Sequence, residues 1–320
     1  MTELLVPIET PATRQRRVRL LLWRDDLLNP ALPGNKARKL KYNLLAARQQ
    51  GHGTLLTFGG AYSNHLAAVA AAGRQQGFGT IGLVRGEETL PLNPTLRQCA
   101  ADGMRLHYLD RATYRRQAEP AFLAALVPRF GPAYVLPEGG TNALALHGMA
   151  ELVPEIRRHT DFDTLAVAVG TGGTLAGVVL GLGLELELRV GPGLQPGRAG
   201  GPGRALGIVA LKGGAGLRAD VDELTRRAAG QVYQNYALHA GYHFGGYAHY
   251  SAPLLAFIRA FEAAHGVLLD PIYTGKLLFG VLDLVDQGYF PAGSTVVAVH
   301  TGGLQAWAGW TERFGRRIKD

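Results

Sequence analysis

The chain has 320 residues, of which 47% are apolar and 18% charged, so it can bury the core of one large domain or two ordinary ones and is not disordered over most of its length. Its formal net charge is +8, but the arginines are scattered rather than interleaved with aromatic residues, which argues against a nucleic-acid partner. The single cysteine, Cys99, excludes a disulfide framework.

The first elements are predicted from apolar patterns near the N-terminus. No secretory-type apolar segment precedes them, so we expect a cytoplasmic protein. VRLLLWRDD, from Val18, alternates and follows several arginines, which predicts an edge strand with a solvated face. A helix is then expected to start at Asn35 and stop at Gly51, followed by a buried strand at 54–60, TLLTFGG.

Strands and helices then alternate along the chain. The sequence AYSNHLAAVAAAGRQQG predicts a turn and a helix, with Ser63 or Asn64 as its N-cap. This alternation is typical of parallel sheets covered by helices. Further strands are predicted at 79–86, 104–110, 133–140, 205–211 and 294–300, and further helices at 93–102, 113–127, 141–159, 219–229, 251–265 and 275–287.

The apolar stretch 165–184 is about long enough to cross a membrane. Its glycines favour a buried strand at 164–169, a glycine turn at 170–174 and a helix at 175–184, so no membrane span is predicted. Residues 191–205 are rich in glycine and proline and predict an exposed or mobile loop.

Three strands end in turns of small residues, FGGAYSNH, VGTGGT and VHTGGL. Ligands of open parallel sheets bind at the carboxyl ends of strands, where helix N-termini attract anions. The GTGGT turn predicts a phosphate cradle because its glycines can turn N–H groups inward; a tight helix–strand crossing is the alternative. The third glycine of a dinucleotide fingerprint is absent, so a nicotinamide-dependent dehydrogenase is only a rival hypothesis. The cradle consists of Gly170, Thr171, Gly172, Gly173 and Thr174.

Lys36 is a candidate nucleophile. On a helical wheel it points with the apolar stripe of Leu40 and Leu44, whereas Lys39 and Lys41 point elsewhere. A partly buried lysine in the first turn of a helix has a lowered pKa. The alternative is a surface amine at a helix end. The sequence has no H-E-x-x-H or paired metal spacing, so no metal site is predicted.

Six motifs occur in one order, GNKARK, GGAYSNH, VGTGGT, GGYA, LLDPIYTGK and VHTGGL. Together they resemble the pyridoxal-phosphate enzymes of the tryptophan-synthase β-subunit fold type, most closely the family shared by D-cysteine desulfhydrase and 1-aminocyclopropane-1-carboxylate deaminase. The resemblance covers about residues 20–305 and implies an α/β protein of fold type II with open, mostly parallel, twisted sheets. We expect a large cofactor domain of residues 1–46 and 139–320 and a small domain of 47–138.

The resemblance also implies roles for residues of the first half of the chain. Lys36 is similar to the lysine that forms the internal aldimine with pyridoxal 5'-phosphate and moves the α-proton. Ser63 resembles the residue that faces the substrate carboxylate and the lysine, and Asn64 the residue that binds the ring oxygen of the cofactor. Ser63, Asn64 and His65 together are expected to bind the substrate at a helix N-terminus. Tyr62 stands where the family usually has glutamine.

In the second half of the chain the resemblance assigns the cradle at 170–174 to the cofactor phosphate. Tyr273 is similar to the catalytic tyrosine beside the cofactor. Tyr247, in GGYA, is similar to a second tyrosine of the pocket; a core tyrosine is the alternative. The resemblance implies a small amino-acid substrate and a homodimer.

Thr274 and Thr301 distinguish two activities within the family. The cyclopropane deaminases carry Glu and Leu at these places, whereas the desulfhydrases carry hydroxyl residues that bind the pyridine nitrogen. The sequence therefore favours D-cysteine desulfhydrase activity, which gives pyruvate, ammonia and sulfide. The alternatives are 1-aminocyclopropane-1-carboxylate deaminase activity, giving 2-oxobutanoate and ammonia, and a non-catalytic pyridoxal-phosphate-binding protein.

Overall fold

A computed structural model describes residues 4–29, 32, 34–190, 203–246, 249–304 and 307, without the side chains of 189 and 190. The strands are β1 Leu5–Pro7, β2 Arg19–Trp23, β3 Thr54–Gly60, β4 Gly79–Arg85, β5 Met104–Leu109, β6 Tyr134–Leu136, β7 Thr164–Val169, β8 Arg204–Val209, β9 Tyr236–His239 and β10 Thr295–Val299. The helices are α1 Pro11–Arg16, α2 Asn35–Gln49, α3 Asn64–Gln76, α4 Pro94–Ala101, α5 Arg111–Arg115, α6 Pro120–Leu126, α7 Ala143–Ala150, α8 Leu152–Arg157, α9 Gly173–Val190, α10 Leu217–Ala229, α11 Ala252–His265 and α12 Thr274–Asp286.

Contacts divide the chain into two compact units. In the described part of the chain, residues up to 35 join 142–304 in the first unit, and 36–141 belong to the second. The sequence analysis predicted domain boundaries after residues 46 and 138. Helix α2 runs without interruption from Asn35 to Gln49, so the chain leaves the first unit at the start of this helix instead of within it.

The first unit contains a six-stranded sheet in the order β1-β2-β10-β7-β8-β9. All neighbours are parallel except β1 and β2. The second unit contains a four-stranded, all-parallel sheet in the order β5-β4-β3-β6. The α/β fold with mostly parallel sheets is therefore confirmed, because each parallel pair is joined by helical segments that cover the sheet faces.

The expected edge strand with a solvated face is wrong. Strand β2 lies between β1 and β10, and Leu20 to Trp23 are all buried. The three-residue strand β1 pairs with the edge of β2 that was predicted to be unpaired. A strand this short has no periodic signal in the sequence. Neither β1, α1 nor β9 was predicted.

Two long predicted helices are each broken in two. The segment 113–127 forms α5 and α6, because Pro120 cannot continue a helix but starts one well. The segment 141–159 forms α7 and α8, separated at Glu151. By contrast, the strands predicted at 54–60 and 164–169 have the expected limits.

The apolar stretch 165–184 forms a strand, a turn and a helix, as predicted, although α9 starts at Gly173 and extends to Val190. Among the described helices none combines the length and apolar character needed to cross a membrane. Most of the loop predicted at 191–205, namely 191–202, lies outside the described residues.

Helix α9 packs closely on α7 through its glycines. A Cβ atom at Gly177 would lie 2.3 Å from Met149 Cβ, and one at Gly181 would lie 2.6 Å from the Ala150 carbonyl oxygen. Such distances are too short for real Cβ atoms, so a side chain here must push the two helices apart. The two glycines therefore fix the position of α9, whose first residue follows the GTGGT turn.

We predict that Gly177→Ala lowers the free energy of unfolding by about 1–3 kcal/mol, because the added methyl group overpacks the helix contact. Chemical denaturation monitored by circular dichroism measures the change. Gly241→Ala is the control, since a Cβ there meets no atom within 4 Å. Equal losses in the two variants would contradict the close helix packing.

Candidate active site

Lys36 is the second residue of α2 and keeps some exposed surface. The surrounding protein nevertheless removes enough water to lower the pKa of its amine to about 8. Burial disfavours the charged form of an amine, so a useful fraction of Lys36 is neutral near physiological pH. A neutral amine on a helix start is the nucleophile that an aldehyde cofactor requires.

Lys39 contradicts the prediction that Lys36 alone among the three lysines of α2 points inward. Its side chain is only 2% exposed, and its Nζ lies 3.2 Å from the Gly139 carbonyl oxygen and 3.5 Å from Thr141 Oγ1. The segment 139–141 covers a second face of the helix, which a helical wheel of one apolar stripe cannot show. Burial, and then the charge of Lys36, lower the pKa of Lys39 well below its usual range.

His65 is buried beneath the start of α3 and is 2% exposed. Its Nε2 lies 2.9 Å from Thr57 Oγ1, and the Thr57 hydroxyl also donates to the Leu136 carbonyl oxygen. Burial lowers the pKa of His65 well below its usual range, with smaller contributions from Lys36 and Lys39 that the Pro137 carbonyl opposes. The ring is therefore neutral, and it adds no further positive charge near Lys36.

Ser63 is the N-cap of α3, as predicted, and its Oγ accepts hydrogen bonds from the backbone N–H groups of His65 and Leu66. Ser63 and the following Asn64 are both partly exposed. A hydroxyl that accepts these bonds still has its own hydrogen to donate, and the Asn64 N–H has no partner within the helix. This helix start can therefore bind a carboxylate through the Ser63 hydroxyl and the Asn64 N–H.

The GTGGT turn lies in the first unit and leads directly into α9. Gly172 has φ +83°, a backbone conformation that favours glycine, and Thr171 is exposed. Asn35, the residue before Lys36, donates from Nδ2 to Thr174 Oγ1 at 2.8 Å. The Thr174 hydroxyl hydrogen is thereby left for another acceptor, and the first-turn N–H groups of α9 have no partner within the helix.

Tyr273 lies against this turn. A Cβ atom at Gly170 would be 3.2 Å from both Cε1 and the hydroxyl oxygen of Tyr273. A larger residue at position 170 would therefore displace the phenol ring. The structure thus brings the predicted phosphate cradle and the predicted catalytic tyrosine together within one unit. Tyr247 lies outside the described residues.

The start of α12 depends on Asp270, which the sequence analysis did not single out. Its carboxylate accepts hydrogen bonds from the N–H groups of Ile272, Tyr273 and Thr274. Thr274 is completely buried, and its hydroxyl donates to Asp270 Oδ2 at 2.6 Å. The only hydroxyl hydrogen of Thr274 is therefore already used. The aspartate four residues before a threonine in DPIYT was the available sequence signal, since it is a helix-capping pattern.

Thr301 follows β10 and is partly exposed. Gly34 has φ +70°, and a Cβ atom there would lie 2.0 Å from the Thr301 carbonyl oxygen, so the segment before Lys36 runs directly against the VHTGGL turn. The preceding His300 is buried, and its Nδ1 lies 3.3 Å from Asp26 Oδ1. The pair of His300 and Asp26 could not be predicted, because the two residues are distant in sequence and the local sequence does not show that a polar side chain is buried.

The described residues fit pyridoxal phosphate by their chemistry. Lys36 has an amine of lowered pKa that could bind the aldehyde, and the glycine turn before α9 has N–H groups that could bind the phosphate. The Thr174 hydroxyl, oriented by Asn35, adds a further donor. Amine, anion cradle and hydroxyl donors are the set that this cofactor requires.

Comparisons with known proteins agree with this chemistry. The family model described as pyridoxal-phosphate dependent enzyme matches residues 5–302. A Pyrococcus horikoshii protein provisionally named 1-aminocyclopropane-1-carboxylate deaminase is 30% identical over 312 residues, covering 94% of this chain and 91% of that protein. The D-cysteine desulfhydrase of Salmonella newport is 29% identical over 311 residues, covering 90% and 87%.

A crystal structure of a homologue of 1-aminocyclopropane-1-carboxylate deaminase superimposes with a TM-score of 0.79 at 29% identity, covering 97% of this chain and 94% of that one. Both the sequence and the fold are therefore similar to those of the same enzymes over nearly their whole length. The chain belongs to the pyridoxal-phosphate-dependent enzyme family, is a lyase of fold type II, and uses pyridoxal phosphate as its cofactor.

Proposed function

We propose that the protein is a D-cysteine desulfhydrase, which converts D-cysteine and one water molecule into pyruvate, ammonia and sulfide. The observation that carries the proposal is the pair Thr274 and Thr301, where a deaminase of the cyclopropane amino acid would have Glu and Leu. The nearby Asp270 carboxylate is already engaged by three backbone N–H groups and the Thr274 hydroxyl. No carboxylate is therefore supplied from these positions to the pyridine nitrogen.

When bound, pyridoxal phosphate supplies an electron sink for the substrate α-carbon. Lys36 holds the cofactor through its amine, which its lowered pKa makes nucleophilic. Lys36 Nζ would also accept the α-proton of the substrate as a general base. The neutral ring of His65 supports this role, because a charged imidazole nearby would repel the protonated amine.

Ser63 and Asn64 orient the substrate and the cofactor. The Ser63 hydroxyl and the Asn64 N–H donate to the substrate carboxylate at the start of α3, where the helix dipole also favours an anion. The Asn64 side chain donates to the ring oxygen of the cofactor. His65 acts through Ser63, because its backbone N–H donates to Ser63 Oγ and helps to orient the Ser63 hydroxyl, while its buried ring is bonded to Thr57.

Residues 170–174 hold the cofactor phosphate through the N–H groups at the start of α9 and the hydroxyls of Thr171 and Thr174. Tyr273, placed against Gly170, donates a proton to the departing sulfur from its phenol oxygen. Tyr247 is proposed as a second tyrosine of the pocket on the basis of the GGYA motif alone.

The distinction between the two candidate substrates is electrostatic. A carboxylate at the pyridine nitrogen keeps that nitrogen protonated and strengthens the electron sink, which opening of a cyclopropane ring requires. A threonine hydroxyl only forms a hydrogen bond, which suffices when hydrosulfide leaves from the β-carbon. Of the two threonines Thr301 is the better candidate for this contact, because it is partly exposed while the Thr274 hydroxyl is bonded to Asp270.

The second candidate is 1-aminocyclopropane-1-carboxylate deaminase activity. The Pyrococcus horikoshii relative and the homologue of known structure favour it through their names. We regard it as second because the two positions that distinguish the activities have threonine in this chain.

We predict that the purified holoenzyme releases sulfide and pyruvate from D-cysteine and that Lys36→Ala abolishes both this turnover and the absorption of the lysine-bound cofactor. Sulfide assay, pyruvate assay and an absorption spectrum measure the three effects. Lys41→Ala, at an exposed position of the same helix, is the control and should retain activity. Release of 2-oxobutanoate from the cyclopropane substrate, without sulfide from D-cysteine, would establish the second candidate instead.

We predict that Lys36 of the cofactor-free protein reacts with acetic anhydride with a midpoint near pH 8, because burial lowers its pKa to about 8. An ordinary lysine amine titrates near pH ~10.4, so a midpoint near pH 8 identifies a desolvated amine. Lys39 should stay unmodified because it is 2% exposed. Competitive labelling followed by mass spectrometry over a pH series measures both residues. A Lys36 midpoint near pH ~10.4 would contradict its desolvation.

We predict that Gly172→Asp weakens cofactor binding by on the order of tenfold or more relative to Gly172→Asn, since a carboxylate in the cradle repels the phosphate. Both residues meet the same backbone strain at φ +83°, so their comparison isolates charge. Titration of cofactor-free protein with pyridoxal phosphate gives the two dissociation constants. Equal constants would mean that the GTGGT turn is only a helix–strand crossing.

A further inference from the structure

Lys276 is a fully buried lysine in the first turn of α12. Its Nζ donates hydrogen bonds to the carbonyl oxygens of Ala210, His243 and Gly246 at 3.2, 2.9 and 2.7 Å. An ammonium group has three N–H donors, so these carbonyls use all of them. An amine saturated in this way has no free position from which to attack a cofactor, so Lys276 is not an alternative to Lys36.

The charge of Lys276 is compensated mainly by carbonyl dipoles. Burial lowers its pKa to about 8 and Asp270 raises it, so the group is still largely protonated at pH 7. Asp270 acts from a distance, since its oxygens are engaged by the backbone N–H groups of 272–274 and the Thr274 hydroxyl. Carbonyl oxygens that replace the water around a cation are the usual ligands of potassium in proteins.

The loop that supplies two of these carbonyls has an unusual backbone. Phe244, Gly245 and Gly246 have φ values of 50°, 97° and 118°. Positive φ is strained for phenylalanine, and a value of 118° is open only to glycine among ordinary residues. The three consecutive residues curl the chain so that the carbonyls of His243 and Gly246 meet at one atom. The strained loop is therefore shaped around the ammonium group.

The same ammonium joins three segments of the first unit. Ala210 follows β8, and its N–H donates to the carbonyl oxygen of Val169, the residue before the GTGGT turn. The loop at 243–246 follows β9, and Lys276 itself lies one turn after Tyr273. Lys276 Nζ therefore links the start of α12, the end of β8 beside the GTGGT turn and the loop after β9.

We propose that the carbonyls of Ala210, His243 and Gly246 form a monovalent-cation site that the ammonium of Lys276 occupies permanently, and that Lys276 is a positioning residue for Tyr273. The chain thereby carries within its own covalent structure an ion that would otherwise be taken from solution. The site stands independently of the proposed function; only its effect on turnover rests on that function.

Lys276→Met tests the proposal because methionine replaces the lysine stem and lacks only the ammonium group. The three carbonyls then enclose a space suited to potassium or ammonium, which are similar in size, whereas lithium is too small. The holoenzyme variant is compared in lithium, choline, potassium and ammonium chlorides at equal ionic strength. Melting temperature and kcat/KM for D-cysteine are measured in each salt.

We expect Lys276→Met to melt below the wild type in lithium and choline chlorides, with kcat/KM reduced on the order of tenfold, as for loss of hydrogen bonds to a charged group. Potassium or ammonium should raise both values. The wild type and Lys212→Met, a matched change at an exposed neighbouring lysine, should not respond to the choice of cation. Recovery of the melting temperature by potassium supports the site even if D-cysteine is no substrate, which separates the two proposals.

Two results would overturn the proposal. One is a Lys276→Met variant as stable as the wild type in every salt, and the other is a loss of stability that is the same in every salt. If the variant does not fold, the wild type supplies the test, because a buried ammonium with three acceptors should give slowly exchanging Nζ–H signals in a ¹⁵N spectrum at pH 7. A spectrum without any such lysine signal would also overturn it.

Discussion

Removing an amine from water is the constraint around which the described residues of the site are arranged. Burial disfavours the charged form unless acceptors replace the lost water. Lys276 has three carbonyl acceptors, and Lys39 has the Gly139 carbonyl and the Thr141 hydroxyl. Both side chains are buried, whereas Lys36 keeps some exposed surface. Exposure therefore distinguishes Lys36, the candidate nucleophile, from the two buried lysines, because all three have the same chemistry in water.

The helix starts show a similar division of roles. Helix α12 is capped by the Asp270 carboxylate and α3 by the Ser63 hydroxyl, so several of their first N–H groups are satisfied by the chain itself. Helix α9 begins in glycines, which have no side chain with which to cap it. No side chain of these glycines caps the helix, and a glycine turn at a helix start suits an anion such as phosphate.

Much of the fold could be predicted from the sequence because buried parallel strands and glycine turns have strong local signals. TLLTFGG and the strand before GTGGT have the predicted limits for this reason. The interior position of β2 could not be predicted, since it depends on pairing with a three-residue strand far from β10 in the sequence. The break before α6 does have a local signal, because Pro120 can start a helix but cannot continue one.

Some features of the candidate site have local sequence signals and others do not. Lys36, Ser63 and the GTGGT turn are local features, recognisable from helix starts and glycines. Lys39 and His300 became visible only in three dimensions, because their burial is caused by segments distant in sequence. Thr274 was singled out for the cofactor, yet its hydroxyl is bonded to Asp270, so its assigned contact with the pyridine nitrogen stays a prediction.

Gly34 limits how this enzyme can be redesigned. Because a Cβ atom at this position would overlap the Thr301 carbonyl oxygen, only glycine lets the two backbone segments approach this closely. Substitutions of Thr301 change its side chain and leave this backbone contact intact. Insertions or deletions in either turn would disrupt the contact. The two turns therefore tolerate substitutions of side chains better than changes of loop length. Libraries for altered specificity should vary residue identity and preserve chain length.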